Sequence, residues 1–497
     1  MKPTPSPRLS GSLSSRLFGH LGDMGVVRLL VDPAGSAAKD GSIAYRTLQR
    51  ARGWYDETRS STFRLNMAGR TMVFTQDPLV YKDVLGSAQH HFTNSNVFRS
   101  MLRSFVPHSV IVLKGDAWSR VRKIAMRSIA MQTLDTLPRL VGHTVDKLVA
   151  RQLRETAEPH GDTSLTIDPS EAFPRATFDV FHNVMFKWDP DTVSDNPTSL
   201  GILANAMAIV AASGSRVSLP PEWLWHRLQQ DGRAFDAAKT ALRAQTLSFV
   251  DARMAAFEGA NASARVTDDD VSLLDCMLVA AADGNLSKNE LVDQVLTFFF
   301  AAFDTTSSSL SLLLNHLAMH PDVQTTLRAE LKVAFPGGCH DIASATIDAL
   351  DRCTYLTWVV DESLRLAPHA FGISRTCISP CTIAEYAFER GDVVLVDTTN
   401  ISRNPANYGG QTDLDTFRPD RFEHFGLNKA ATMPFGFGQR ICPGRKIAVA
   451  ELKVFCAYVV TGWSLARPPG LPFLMDISLG LGVKKGYGTL VWTPTKG

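Results

Sequence analysis

One long apolar helix constrains the fold of this chain more than any other feature. Ser287 is followed three residues later by Glu290, a spacing typical of a capping box at a helix N-terminus. Apolar residues then continue through Leu317, and Pro321 ends the helix. About 30 residues at ~1.5 Å each span ~45 Å, which is enough to cross a whole domain. Because this segment is apolar on several faces, we predict that it is a buried central helix.

The remaining pattern predicts a fold that is mainly α with a smaller β portion. Residues 116–335 are rich in helix formers and contain few runs typical of strands. Short strands such as Val393–Asp397 follow later, separated by Pro and Gly turns. Near the N-terminus, Thr62–Met67 and Thr71–Thr75 predict a hairpin around Gly69.

Composition and charge bound the class of protein. The 497 residues are 45% hydrophobic and 20% charged, which is ample material for one large core. A net charge of +2 argues against nucleic acid as the main partner. The seven cysteines have no repeating spacing, so a secreted disulfide framework is not indicated.

The N-terminal segment differs from the rest of the chain. Residues 1–40 are rich in Ser and basic near the start, so we expect a tail there and a single domain over 41–497. A mitochondrial targeting peptide or a segment next to a membrane anchor is the alternative. No apolar run reaches the ~20 residues that a bilayer span needs. We therefore expect a cytoplasmic or peripherally membrane-associated protein without a transmembrane helix.

The most informative short motif surrounds Cys442. This thiol lies on the glycine-rich run 435–444, with Arg440 two positions before it. A thiolate exists at neutral pH only beside a metal, a positive field or a partner sulfur. No second Cys or His lies close enough in sequence to complete a zinc site. One sulfur on such a loop suits an iron porphyrin, because the macrocycle supplies four other ligands. A buried structural cysteine is the alternative.

The same run resembles the heme-binding signature of the cytochrome P450 family, Phe-x-x-Gly-x-Arg-x-Cys-x-Gly. The resemblance implies heme b with Cys442 as the protein ligand to its iron. It also implies that the two glycines let backbone amides approach the sulfur, that the arginine binds a propionate and that the phenylalanine excludes water. The five matched positions are Phe435, Gly438, Arg440, Cys442 and Gly444.

Midway along the long helix, residues 301–306 resemble the family's element Ala/Gly-Gly-x-Asp/Glu-Thr-Thr. The resemblance implies that Thr305 holds an ordered water beside bound oxygen and that Asp304 links it to solvent protons. The alternative is that Thr305 only bonds to a carbonyl one turn earlier. Ala302 stands where Gly is common in the family.

A buried ionic network is also implied. Glu362 and Arg365 are three residues apart and share one helix face. They resemble the family's Glu-x-x-Arg pair, which is joined behind the heme by an Arg from a Pro-x-Arg-Phe segment, here Arg421.

Further propionate ligands are implied on an early helix and a strand. Trp118 and Arg122 are four residues apart, so both lie on one helix face, and they resemble the family's Trp-x-x-x-Arg element. Arg375 is a third candidate by resemblance.

The resemblance implies an apolar substrate pocket. Its composition suits a lipid-like, terpenoid, steroid or polyketide substrate. Residues 203–225 are expected to form an access lid or to touch a membrane, with an ordinary helix pair as the alternative. The residues implied for the pocket are Phe98, Phe105, Phe299, Ala302, Phe303, Phe371, Ile373 and Leu481.

The implied activity is that of a monomeric monooxygenase of secondary metabolism. Electrons would come from NAD(P)H through a separate reductase, ferredoxin or flavodoxin-type donor. Two alternatives stay open: a heme-thiolate isomerase or dehydratase that rearranges a peroxide, and a non-catalytic heme binder. The intact acid–alcohol pair favours the monooxygenase. Five basic residues are expected either to dock an acidic redox partner or to form an ordinary solvated face: Arg120, Lys123, Arg445, Lys446 and Lys453.

Overall fold

The computed structural model describes residues 5–7, 42–67, 70–95, 102–130, 132–155, 164–216, 230–259, 271–425 and 431–495. Helices dominate this part of the chain. In chain order they are α1 (Ile43–Thr58), α2 (Pro78–Leu85), α3 (Gly115–Ala130), α4 (Leu137–Glu155), α5 (Pro169–Phe186), α6 (Pro197–Arg216), α7 (Gln230–Gly259), α8 (Leu273–Ala282), α9 (Lys288–Met319), α10 (Pro321–Ala334), α11 (Cys339–Ala343), α12 (Ile347–Asp351), α13 (Thr354–Leu366), α14 (Thr398–Ile401), α15 (Arg421–Phe425) and α16 (Arg445–Gly462).

The strands of the described chain form four small sheets. The strands are β1 (Thr62–Met67), β2 (Arg70–Thr75), β3 (Phe92–Asn94), β4 (Leu165–Ile167), β5 (Ile373–Cys377), β6 (Cys381–Ile383), β7 (Tyr386–Phe388), β8 (Val393–Val396), β9 (Trp463–Ala466), β10 (Met475–Ile477), β11 (Leu481–Val483) and β12 (Leu490–Pro494). The largest sheet is mixed and has the order β1-β2-β8-β5-β3, with β2 and β8 parallel and the other neighbours antiparallel. The other sheets have the orders β4-β12-β9, β6-β7 and β10-β11.

The long helix α9 is central, as the sequence predicts. Its capping box is formed: the Ser287 hydroxyl accepts from the Glu290 amide at 3.3 Å, and the Glu290 carboxylate accepts from the Ser287 amide at 2.9 Å. The helix packs against α5, α7, α13 and α16. In the described part of the chain, α9 alone has the length and hydropathy of a membrane span, and most of it is buried inside the protein. It is thus the core of the helical layer.

The predicted hairpin strands and the predicted strand near Val393 are present, but two of them begin or end one residue away from the predicted position. Strands β1 and β2 pair from Thr62–Thr75 to Met67–Arg70, while Gly69 lies outside the described residues. Strand β8 ends at Val396, one residue earlier than predicted, because the Asp397 carboxylate accepts from the Asn400 amide at 2.9 Å and caps α14. The division into a tail over 1–40 and a domain over 41–497 stays a prediction.

Candidate active site

A cavity of about 490 Å³ lies between α9 and the loop that precedes α16. Strand β5, helix α3 and this loop contribute to its wall together with α9. Cys442 faces the cavity from the loop, and Ala302 and Thr305 line it from α9. The cavity thus brings together residues that are more than 130 positions apart in the sequence.

Cys442 is exposed, and its side chain lines the cavity. Its backbone amide donates to the Phe435 carbonyl at 2.9 Å, which closes the loop beneath the thiol. Burial raises the pKa of the Cys442 thiol, while the Gly444 amide bonded to the sulfur and the nearby Arg122 oppose that rise. A thiolate at neutral pH therefore needs a further positive charge here, such as a metal ion.

The glycines of the loop differ in what they permit. Gly438 has φ +70°, and a Cβ there would lie 2.0 Å from the Leu85 carbonyl oxygen at the end of α2. Only a glycine fits this close approach without displacing backbone. Gly444 has an ordinary φ, and a Cβ there would lie 3.9 Å from the Cys442 sulfur. We expected both glycines to let backbone amides approach the sulfur. At Gly438, the group that approaches closely is instead the Leu85 carbonyl at the end of α2.

Three guanidinium groups and an indole line the same cavity. The Arg440 guanidinium lies 4.1 Å from the ring centroid of Trp118 and donates to the Leu113 carbonyl at 2.9 Å. Arg122 donates to the Ile441 carbonyl at 2.5 Å, so it also holds the loop next to the thiol. These contacts position the cations around the loop that carries Cys442.

Arg375 is a further cation at this cavity. It extends from β5 and donates to the Ser374 carbonyl at 2.9 Å. Burial lowers the pKa of Arg375 to about 10, and the Tyr81 phenol opposes that shift. A buried cation of this kind is stabilised by an anionic partner. Together with Arg122 and Arg440, it fits a ligand that carries carboxylates, such as the propionates of heme b.

One face of α9 forms the helical wall. The wall residues Phe298, Ala302, Thr305 and Ser309 recur at intervals of three or four. The Thr305 hydroxyl donates to the Ala301 carbonyl at 2.9 Å, the local bond that the sequence offered as an alternative. This bond fixes the rotamer of Thr305.

Asp304, which the sequence linked to solvent protons, is a buried residue of α9. It is 8% exposed and does not line the cavity. Its Oδ2 lies 3.5 Å from Nε2 of His369, which does line the cavity. Burial raises the pKa of Asp304, and the His369 imidazole opposes that rise. Burial lowers the pKa of His369, and the Asp304 carboxylate opposes that change.

His369 is a cavity residue that was not predicted from the sequence. A polar histidine three residues after the end of α13, in a segment expected to give the pocket apolar residues, was the feature that could have indicated it. Proximity to Asp304 could not be read from the sequence, since 65 positions separate the two residues.

The apolar part of the wall differs from the expected set. Ala302 and Ile373 line the cavity, and Phe98 lies outside the described residues. Phe299 and Phe303 are buried on the face of α9 turned toward α5, where both contact Phe178. Three more are buried in the core, away from the wall: Phe105, Phe371 and Leu481. Further apolar residues on the wall include Leu102, Val110, Ile111, Phe181, Met185 and Phe298.

The ionic network is formed behind the site. Arg365 donates to both carboxylate oxygens of Glu362, at 2.7 and 2.9 Å, and Arg421 donates to the same carboxylate at 2.8 Å. All three side chains are at most 1% exposed. The other guanidinium nitrogens donate to backbone carbonyls, including those of Ser402 and Leu414, and to the side-chain oxygen of Gln411. Both carboxylate oxygens of Glu362 therefore accept hydrogen bonds from guanidinium groups.

A porphyrin supplies four nitrogen ligands to its iron, so a single cysteine sulfur at the cavity is enough as the protein ligand. The guanidinium groups at the cavity would bind the carboxylates of the porphyrin. Fold and cavity together define a heme-thiolate protein.

Comparison with known proteins gives the family. The cytochrome P450 family model matches residues 46–484, and the chain belongs to this family. Cytochrome P450 monooxygenase sphH of Aspergillus fumigatus is 25% identical over 84% of this chain and 78% of its own length. Human cytochrome P450 4F3 is 25% identical over 80% of this chain and 75% of its own. Dog cytochrome P450 3A12 is 37% identical, over 36% of this chain and 35% of its own.

A solved structure supports the fold. The crystal structure of a cytochrome P450DA heme-domain variant covers 100% of this chain and 98% of its own, with a TM-score of 0.76 and 21% identity. The family and its curated members make this protein a monooxygenase that uses heme b, O2 and electrons from a reductase partner.

Proposed function

We propose that this enzyme hydroxylates or epoxidises a lipid-like, terpenoid, steroid or polyketide substrate. The observation that carries the proposal is the apolar wall of the cavity on the α9 side. Leu102, Val110, Phe181, Met185 and Phe298 meet there around Thr305. Such a surface binds a substrate by burying apolar area and leaves few groups to orient it by hydrogen bonds.

Cys442 is proposed as the protein ligand to the heme iron. Arg122, Arg375 and Arg440, with Trp118, would hold the propionates, and Phe435 would shield the sulfur side from water. When bound, the heme supplies the activation of oxygen that side chains cannot perform. The amide of Gly444 donates to the sulfur and would moderate its charge.

Thr305 and Asp304 are proposed as the groups that control protons on the α9 side. Thr305 lines the cavity, and its hydroxyl can exchange the bond to Ala301 for one to a water or a ligand oxygen. Asp304 is the nearest acid along the helix. Its burial favours the protonated carboxyl, which can serve as a proton donor.

The docking surface for the electron donor is proposed to be smaller than the sequence indicated. Lys123, Arg445 and Lys446 are exposed around the loop that carries Cys442. Arg120 instead pairs with Glu290, and Lys453 is buried against Asp351 at 2.6 Å. The exposed cations suit an acidic surface on a ferredoxin, flavodoxin or reductase.

The first test is the spectrum of the reduced enzyme with CO. The purified protein should give the absorption of a thiolate-ligated heme, and Cys442→Ala should lose it. Cys276→Ala changes a half-buried thiol on α8 and is the matched control. Retention of the thiolate-type spectrum in Cys442→Ala would contradict the assignment.

The second test concerns the substrate. Terpenoids, steroids, fatty acids and polyketides are titrated against the ferric enzyme, and binders should shift the Soret band. A set of shifts confined to small polar molecules would contradict the substrate class. Turnover of a fatty-acid hydroperoxide without an electron donor, and no turnover with one, would favour the isomerase alternative.

The third test concerns docking. Lys123→Glu should slow reduction by a surrogate ferredoxin system several-fold, and the effect should fall as salt is added. Lys332→Glu, on an exposed position of α10, is the control. Equal rates for the two variants would remove this surface from the proposal.

A further inference from the structure

The acid on α9 and the imidazole that follows α13 form a buried pair beside the cavity. Asp304 Oδ2 and His369 Nε2 are 3.5 Å apart, and the two side chains are only 12% and 13% exposed. His369 lines the cavity, whereas Asp304 does not. The imidazole therefore stands between the carboxyl and the cavity.

The position of the imidazole is set by neighbouring elements. The His369 carbonyl accepts from the Leu481 amide at 2.8 Å and from the Phe371 amide at 3.0 Å. At Gly480, in the turn between β10 and β11, a Cβ would lie 2.2 Å from His369 Nε2. The turn thus provides the space that the ring occupies against Asp304.

Thr305 does not provide an alternative contact for the acid. Its hydroxyl donates to the Ala301 carbonyl. Within the described residues, Asp304 Oδ2 is enclosed and makes no hydrogen bond. A purely structural pair would be expected to satisfy such atoms, since unpaired buried polar groups are costly.

We propose that Asp304 and His369 share one proton as a store at the cavity wall, and that His369 is the group through which it is exchanged. This inference deepens the role proposed above for Asp304 and Thr305 and depends on it. The imidazole gives a proton to water in the cavity, and the carboxyl returns one to the ring. The pair then recovers a proton from water that enters the cavity. Only N–H and O–H bonds change, so no oxidant or reductant is required.

The surroundings isolate this pair electrostatically. Among the described residues, the charge that acts on Asp304 is that of His369, and the charge that acts on His369 is that of Asp304. Burial disfavours an isolated carboxylate and an isolated imidazolium alike. The pair is thus expected to titrate as a unit.

The test measures how many electrons end in product. His369→Gln should lower the product formed per NADPH on the order of tenfold, and the CO spectrum should stay unchanged. The double variant Asp304→Asn/His369→Gln should be no worse than Asp304→Asn alone, because the two groups act together. His320→Gln, at the far end of α9, is the matched control and should keep normal coupling.

A second approach moves the ring without replacing it. Gly480→Ala places a methyl group where the imidazole lies, so it should reproduce the loss of coupling with His369 present. Coupling that stays normal in both His369→Gln and Gly480→Ala would overturn the inference.

An infrared measurement is independent of turnover. The carboxyl band of Asp304, assigned by its loss in Asp304→Asn, should shift in His369→Gln in the heme-loaded enzyme without substrate. An unshifted band would overturn the shared proton. If Asp304→Asn and Thr305→Ala also keep normal coupling, the proposed function of the acid–alcohol pair fails. If only the His369 variants are silent, this inference alone fails.

Discussion

The Asp293 carboxylate lies 2.6 Å from the Arg243 guanidinium, and this ion pair joins the central helix α9 to α7. Asp293 is fully enclosed, and it also accepts from the backbone amide and the ring Nδ1 of His108 at 2.8 and 3.0 Å. His108 precedes Val110 and Ile111, which line the cavity. One carboxylate thus connects two other segments to α9.

We expect Asp293→Ala to lower the free energy of unfolding by about 2–4 kcal/mol, because it removes a buried acceptor from three donors. Urea unfolding of the heme-loaded protein measures this. The control is Asp251→Ala, whose pair with Lys288 is about half exposed and whose loss should cost less than about 1 kcal/mol. Equal costs for the two variants would show that burial of the pair at Asp293 is unimportant.

Loss of Glu362 should be more severe. Glu362→Ala leaves Arg365 buried without a counter-charge and leaves Arg421 with the more distant Asp413 carboxylate at 3.6 Å, so we expect a cost of about 3–5 kcal/mol and poor heme retention. Thermal unfolding and heme content per chain are the measurements. Glu155→Ala removes a half-exposed partner of Arg151, far from this network, and should have a small effect. Normal heme content in Glu362→Ala would contradict a supporting role for the network.

Gly438→Ala tests the contact between the Cys442 loop and α2. The positive φ alone costs about 1–2 kcal/mol in a residue with a Cβ, and the approach to the Leu85 carbonyl adds to it. We expect lower heme content and a lower melting temperature. Gly410→Ala is matched, since Gly410 has φ +84° with open space around it. Gly438→Ala should lower heme content and melting temperature more than Gly410→Ala does. Equal losses in the two variants would show that the approach to the Leu85 carbonyl adds nothing to the cost of the positive φ.

Phe298 and Phe299 are adjacent but face different surroundings. Phe298 lines the cavity, so Phe298→Ala should change the affinity and selectivity of substrates that shift the Soret band. Phe299 packs among Phe178, Phe186 and Trp188, so Phe299→Ala should cost about 3–5 kcal/mol of stability. Substrate titration and urea unfolding of both variants separate the effects. An inverted pattern would contradict the assignment of the wall.

Asp397 predicts a pH dependence of stability. Burial raises the pKa of Asp397 from 3.8 to about 6, although hydrogen bonds from Asn400 oppose the rise. The folded protein holds this proton more tightly than the unfolded chain. The resulting stabilisation is full below about pH 4 and is lost as the pH rises through about 6.

Asp397→Asn removes this titration. The free energy of unfolding of the variant minus that of the wild type should therefore rise between pH 4 and pH 7, by roughly 3 kcal/mol at most. Urea unfolding at constant ionic strength measures the difference. A difference that does not vary with pH would contradict the raised pKa. Any constant loss from the cap of α14 does not affect this slope.

The sequence by itself determined the features that depend on local spacing. The capping box at Ser287 predicts where α9 begins, because the pairing involves residues three apart. Glu362 and Arg365 meet because they lie three apart on one helix. The loop around Cys442 predicts the family because its fixed positions lie within ten residues.

Only the tertiary structure decided which groups meet across the chain. It placed His369 against Asp304, Leu85 against Gly438, and Phe298 on the cavity wall. It also gave Lys453 an acidic partner and so removed it from the exposed cations. The physical reason is that these contacts join residues far apart in sequence or depend on the rotation of a helix about its axis. Packing of the whole core sets both, and no local pattern encodes them.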